Sequence, residues 1–261
     1  MSVLKFRHIA LMALTLAMVS AATAQAAFTN FVIREGGGSA PAILPNNVYT
    51  PGATEFVIAQ GGQKAAAGSS DLDGYTIGDI MQLKIVRHDA KLPAGSGPAV
   101  APYFNIWITD GADKYAVIAN EPSNPDFSSL YNNGYDLSWG DIAGKVAKAY
   151  ENADLSWLPN GGVNMTFAQL AGYTIKAPTA GELTTGWAGL GTGAPRELGS
   201  NAAYGFNWVF GDTLANYVSG DEGYVVSGAV VQAIPEPASL ALAGAAALGL
   251  FVVRRRQRSN A

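Results

Sequence analysis

Apolar and polar residues alternate in short bursts along most of this chain. Met81, Leu83 and Ile85 alternate with Gln82, Lys84 and Val86, the period-two pattern of a strand with one buried face. Phe104, Ile106 and Ile108 alternate in the same way with Tyr103, Asn105 and Trp107. Asp110-Gly111-Ala112-Asp113 separates that run from Tyr115–Ala119, which predicts a hairpin closed by a glycine-containing loop. Tyr204, Phe206, Trp208 and Phe210 share one face of another predicted strand, and a valine-rich strand covers Tyr224–Ala233. Weaker strand patterns cover residues 30–33, 55–59 and 172–176. One stretch reads as helix. Ser138-Trp139-Gly140-Asp141 has the spacing of a capping box, and Ile142, Val146, Ala149 and Tyr150 follow at helical spacing. Residues 166–170 predict another single turn, and 36–38, 94–98 and 186–193 read as loops. Many short strands with frequent turns predict a mostly β fold: an antiparallel β-sandwich of jelly-roll type with one or two short helices.

Both ends depart from this pattern. Residues 1–26 have the form of a secretory signal peptide. Lys5, Arg7 and His8 precede an apolar run over 9–19, and Ala22-Thr23-Ala24 and Ala24-Gln25-Ala26 are small-x-small cleavage sites. Cleavage after Ala26 is favoured, with Ala24 as the alternative. At the other end stand Pro235-Glu236-Pro237, an uncharged apolar segment over 238–253, and Arg254, Arg255, Arg256 and Arg258. Sixteen helical residues rise about 24 Å, short of a hydrocarbon core of about 30 Å. Ile234 and arginines reaching up to the headgroups close that gap, and the arginines hold this end in the cytoplasm. Proline lacks an amide proton and clashes with the preceding turn, so Pro235 and Pro237 make an accessible break before the span.

The order Pro-Glu-Pro, hydrophobic helix, arginine cluster resembles the PEP-CTERM sorting signal of Gram-negative bacteria. The resemblance covers about a tenth of the chain. It implies recognition of Pro235, Glu236 and Pro237 by a membrane-embedded exosortase, with cutting nearby. It divides the chain into a signal peptide (1–26), a central domain (27–233) and a sorting signal with its transmembrane helix (234–261). The central domain is also similar to those of other PEP-CTERM proteins, through residues 205–212 and the closing strand. A looser similarity links it to lectin-like and carbohydrate-binding sandwiches.

The chain contains no cysteine, which excludes disulfides, thiol nucleophiles and thiolate metal sites. An exported domain of this kind must be held by its packed core alone, and a 207-residue segment is long enough for one. Six of the 16 basic residues lie in the two ends, leaving ten against all 20 acidic residues over 27–237, a net charge of −10. That surface repels nucleic acid and anionic lipid.

Little of the sequence points to catalysis. His88 is the one histidine outside the signal, and no Gly-x-Ser-x-Gly elbow accompanies it. A glycosidase would need two carboxylates about 5–10 Å apart across a cleft, which spacing along the chain does not reveal. Asp71 and Asp73, and Asp110 and Asp113, place oxygen ligands close together in turns and are weak calcium candidates. Gln82 stands where an EF-hand starting at Asp71 needs glutamate, and aspartate is in any case a preferred turn residue. No cofactor or metal is expected, with calcium the one optional ligand. An exposed aromatic ring stacks on a sugar face. Trp107 and Tyr103 lie opposite the apolar triplet of their strand, facing either outward or a second layer, and Trp187 sits among Gly and Thr; these three are the candidate glycan contacts, while Trp208 reads as core. The expected protein is a non-enzymatic, exported, surface or extracellular protein. It passes through the inner membrane and an exosortase, and does not bind nucleic acid. A polysaccharide-binding module is the alternative, and a secreted glycoside hydrolase the less favoured one.

Overall fold

A computed structural model of the chain describes residues 27–89, 101–120, 125–150, 154–184, 193–211 and 219–234. Its strands form two antiparallel sheets. The larger runs β1 (Thr29–Arg34), β4 (Lys64–Ser69), β12 (Phe206–Phe210), β6 (Tyr103–Thr109), β7 (Tyr115–Ala119), β9 (Val146–Tyr150) and β10 (Met165–Thr166), with β11 (Thr174–Ile175) also paired to β6. The smaller runs β2 (Ala42–Pro45), β3 (Thr54–Val57), β13 (Tyr224–Ala233), β5 (Ile80–Arg87) and β8 (Gly134–Leu137). Neighbouring strands in this order are often far apart in sequence, as in β4–β12 and β3–β13, which is the weave of a sandwich rather than of a simple meander.

The inner faces meet in one core. Leu83 and Ile85 from the small sheet join Phe104, Ile106, Ile108, Phe206, Trp208 and Phe210 from the large one. Phe56 stacks on Phe210 across the interface, with ring centroids 3.9 Å apart. The predicted alternation of β6 is therefore correct for its inner face. The 110–114 turn closes the β6–β7 hairpin as expected: Asp110 Oδ1 accepts from Ala112 N and Lys114 N, and Gly111 takes a positive φ of 86°.

The outer face of the large sheet is buried too. Trp107 packs with Tyr115, Val117, Ala177, Leu183 and Ala194, and Tyr103 packs with Phe31, Ile33, Ala66 and Val209. Segments after β11 lie over this face as a third layer: Ala177, Leu183 and Ala194 pack on Trp107, whose indole Nε1 donates to Pro195 O at 3.0 Å. This layer explains why all seven residues of β6 are buried. It also accounts for β4, Lys-Ala-Ala-Ala-Gly-Ser, which the alternation rule overlooks. A Cβ at Gly68 would come within 2.7 Å of both Asn207 Oδ1 and the Tyr204 ring, so this crowded strand needs its smallest residue there.

Two expectations need correction. The helical pattern over 142–150 is realised differently: a single turn, Trp139–Ile142, is capped at Ala143, and Val146–Tyr150 is strand β9 between β7 and β10. Val-Ala-Lys-Ala-Tyr satisfies both periods over so short a run, and sheet pairing chooses the second. Ala147 is buried whereas Val146, expected inside, is exposed. Met81, expected on the buried face of β5, is 43% exposed. Gln82 faces Gln232 and Ile80 faces Ala233, so Met81 is the extra residue of a β-bulge and is turned outward. The predicted capping box at Ser138 is formed, with Asp141 accepting from Ser138 N and Oγ, and the predicted turn over 166–170 is present as Phe167–Leu170, capped by Thr166 Oγ1 accepting from Gln169 N.

Among the described residues no helix is long and apolar enough to cross a membrane. The signal peptide, the Pro235-Glu236-Pro237 motif, the apolar segment and Arg254, Arg255, Arg256 and Arg258 lie outside the described residues.

Candidate functional site

The functional end of the domain is built by β13. This ten-residue strand lies between β3 and β5 in the small sheet. Its first three residues, Tyr224, Val225 and Val226, are buried, in contact with the core or the ion pair below. Its last residue, Ala233, faces Ile80 at the start of β5. One residue further, Ile234 N donates to Asp79 O at 2.8 Å. Asp79 itself caps the turn Ile77–Asp79, its carboxylate accepting from Thr76 N and Oγ1 at 2.9 and 2.7 Å. The sheet thus holds the backbone up to the residue before Pro235, and no slack chain intervenes.

The start of β13 is held by a buried ion pair. Arg87 donates from Nε and Nη2 to Asp89, and Asp89 Oδ2 also accepts from Val225 N at 2.9 Å. Arg87 lies 4.9 Å from the Tyr224 ring centroid. Burial opposes the guanidinium charge, but the hydrogen bonds to Asp89 and the contact with Tyr131 outweigh it, and its pKa is raised. His88 sits beside this pair, hydrogen-bonded to Ser227 Oγ at 2.7 Å and stacked on Tyr49. Among the described residues no carboxylate is hydrogen-bonded to the His88 ring, so its pairing with Ser227 is not completed into a triad. The sequence pattern contained Arg87, His88 and Asp89, but no local rule marks two charges for burial.

The candidate glycan contacts fare unequally. Trp107 is fully buried and Tyr103 almost so, its hydroxyl donating to Gly211 O at 3.0 Å. The third layer closes the Trp107 ring to a sugar, and packing with Phe31, Ile33, Ala66 and Val209 buries Tyr103. Trp208 is core, as expected. Trp187 lies outside the described residues. Trp157, which no pattern singled out, is half-buried beside Tyr173 with ring centroids 5.5 Å apart. Its Nε1 donates to Asp154 O, and the Tyr173 hydroxyl donates to Trp157 O.

The calcium candidates are engaged in local structure. Desolvation opposes the Asp110 charge, but the hydrogen bonds it accepts from Ala112 N and Lys114 N in its own turn together outweigh it, and its pKa is lowered. Asp113 is exposed in the same turn. Asp71 Oδ2 accepts from Ala27 N at 3.1 Å. Asp73 keeps exposed surface, yet burial of its carboxyl beside Gly205 pushes the pKa up to about 6, against the lowering effect of hydrogen bonds from Ser70 and Gly205. Among the described residues no group of three His, Asp or Glu side chains could hold a metal ion.

Fold and site together define an acidic β-sandwich whose inner strand runs directly into a terminal targeting segment. Residues 233–256 match the PEP-CTERM protein-sorting motif. The chain carries this signal, which marks an exported protein that is anchored transiently in the membrane and processed by an exosortase. No curated protein and no solved structure matches the chain. The match begins at Ala233, the last residue of β13.

Proposed function

We propose that this protein is exported by its signal peptide, held in the inner membrane by its C-terminal helix, and released or transferred by an exosortase. Its sandwich then serves as a non-catalytic structural or interaction module at the cell surface or in extracellular polymer. The observation that carries this reading is the join at Ala233 and Ile234, where the sorting motif begins as the folded sheet ends. A cut upstream of Ile234 would remove part of β13 from between its two neighbours, so processing that preserves the fold falls in the tail. The start of the chain supports the same history. Cleavage after Ala26 would turn the Ala27 amide, 3.1 Å from Asp71, into an ammonium facing a carboxylate. Replacing Pro235, Glu236 and Pro237 together with alanine should leave export intact and block C-terminal trimming. Normal trimming of that variant, read by mass spectrometry, would defeat the reading.

A second reading, binding of extracellular polysaccharide, is favoured by the half-buried Trp157–Tyr173 pair. It predicts saturable retention on the producer's own polysaccharide that Trp157→Ala abolishes. Unchanged retention in that variant would remove Trp157 from the account.

A further inference from the structure

The exit of β13 also determines what the domain meets before processing. Ile234 is pinned to Asp79, and the uncharged apolar segment begins four residue steps later at Ala238. Four fully extended steps span at most about 14 Å. Whatever surface surrounds Ile234 is therefore pressed close to the bilayer as long as the apolar segment is inserted.

That surface is apolar where it could have been polar. Ile234 is 53% exposed, and the bulge in β5 turns Met81 outward beside it. Leu83 faces Leu137 across β5 and β8. The chain turns just beyond that pair, at Ser138, and the turn Trp139–Ile142 packs against both strands, with Trp139 lying at the edge of the core. Trp139 is half-buried, and tryptophan favours the boundary between headgroups and acyl chains. The acids near this end are engaged: Asp79 and Asp141 cap their turns, and Asp136 accepts from Gln82 and pairs with Lys84.

We propose that the end of the sandwich formed by Met81, Trp139 and Ile234 rests on the lipid surface of the membrane, held there by the short connection to the tail. This rests on the membrane-anchored intermediate proposed above. The contact is apolar and enforced by tethering. A domain with a net charge of −9 over residues 27–233 has no electrostatic affinity for lipid, so it leaves the surface once the tail is cut. A β-bulge that wastes a core methionine acquires a purpose on this account, as do an exposed isoleucine at a strand end and a tryptophan at the rim.

The absence of cysteine in the chain allows one clean test. Met81→Cys and, as control, Val48→Cys are each labelled with a small fluorophore in the full chain, reconstituted into phosphatidylcholine vesicles containing a headgroup-level quencher lipid. Val48 is 79% exposed, and its neighbour Tyr49 donates to Glu222 before the opposite end of β13, a strand about 33 Å long. Quenching at position 81 should exceed that at position 48 at least twofold. It should fall to the level of position 48 when 20 Gly/Ser residues are inserted between Ile234 and Pro235, a linker that reaches about 25 Å on average. Equal quenching at the two positions overturns the proposal, and so does quenching at 81 that survives the insertion. Co-flotation with the vesicles is read on the same samples. Failure to float refutes the anchored intermediate itself, whereas flotation without preferential quenching refutes only the apposed face.

Discussion

The buried pair of Arg87 and Asp89 gives the sharpest test of how the small sheet is held together. Their side chains are 1% and 2% exposed. Asp89→Ala removes the acceptor of the Arg87 Nε and Nη2 donors and of Val225 N. What remains around the guanidinium is Ala101 O at 3.1 Å, the Tyr131 hydroxyl at 3.2 Å and the Tyr224 ring. None of these carries a compensating charge. Removing one partner of such a pair typically costs about 3–5 kcal/mol, because the other is left charged and out of water. With an m-value of about 2–3 kcal/mol/M in urea, the midpoint should fall by about 1–2 M. The assay is equilibrium urea unfolding of residues 27–234 followed by tryptophan fluorescence, which reads the buried Trp107 and Trp208. The double variant Arg87→Met/Asp89→Ala removes both charges and should recover at least about 1 kcal/mol relative to Asp89→Ala alone. A midpoint shift below about 0.3 M would refute the reasoning, and so would a double variant no more stable than the single one.

Three further outcomes follow from the same structure. Trp107→Ala should cost about 3–5 kcal/mol in the same unfolding assay while leaving polysaccharide retention unchanged, since its ring lies under the third layer; lost retention in a folded variant would return Trp107 to the surface. The native state holds the Asp73 proton more tightly than the unfolded chain, so this group makes stability fall as pH rises from about 4 to about 6. Asp73→Asn should remove that part of the slope, and identical melting-temperature profiles for the two proteins between pH 4 and 7 would contradict it. N-terminal sequencing of the exported protein should begin at Ala27, with Asp71→Asn lowering the pKa of the new amino group; a start at Gln25 would displace that group from Asp71.

How much of this was legible in advance depends on the range of the interactions. The sorting signal is a one-dimensional object: its chemistry lies in the order of Pro235, Glu236 and Pro237, an apolar run and four arginines, so it could be read without a fold. The β6–β7 hairpin, the cap at Ser138 and the turn over 166–170 were legible for the same reason, since their partners stand within a few residues. The strand pattern of β5, β6, β12 and β13 was legible too, because alternation records that at least one face is buried. It does not record what covers the other face. Trp107 was open to either reading until a segment about 70–90 residues downstream was placed over it, and Tyr103 until distant strands brought Phe31, Ile33, Ala66 and Val209 around it. The β4 strand carries no alternation, since both of its faces are crowded enough to require Ala and Gly. Val146–Tyr150 satisfied two periods at once, and only the neighbouring strands decided between them. The bulge that exposes Met81 and the approach of Ala27 to Asp71 likewise depend on register between distant strands. The sequence by itself determined where the protein is sent and which short segments extend into strands, because both are encoded in near neighbours. Only the tertiary structure decided which aromatic rings are sealed inside, which charges are buried as a pair, and how closely the folded domain abuts its own sorting signal, because those follow from contacts between segments that the chain order keeps apart.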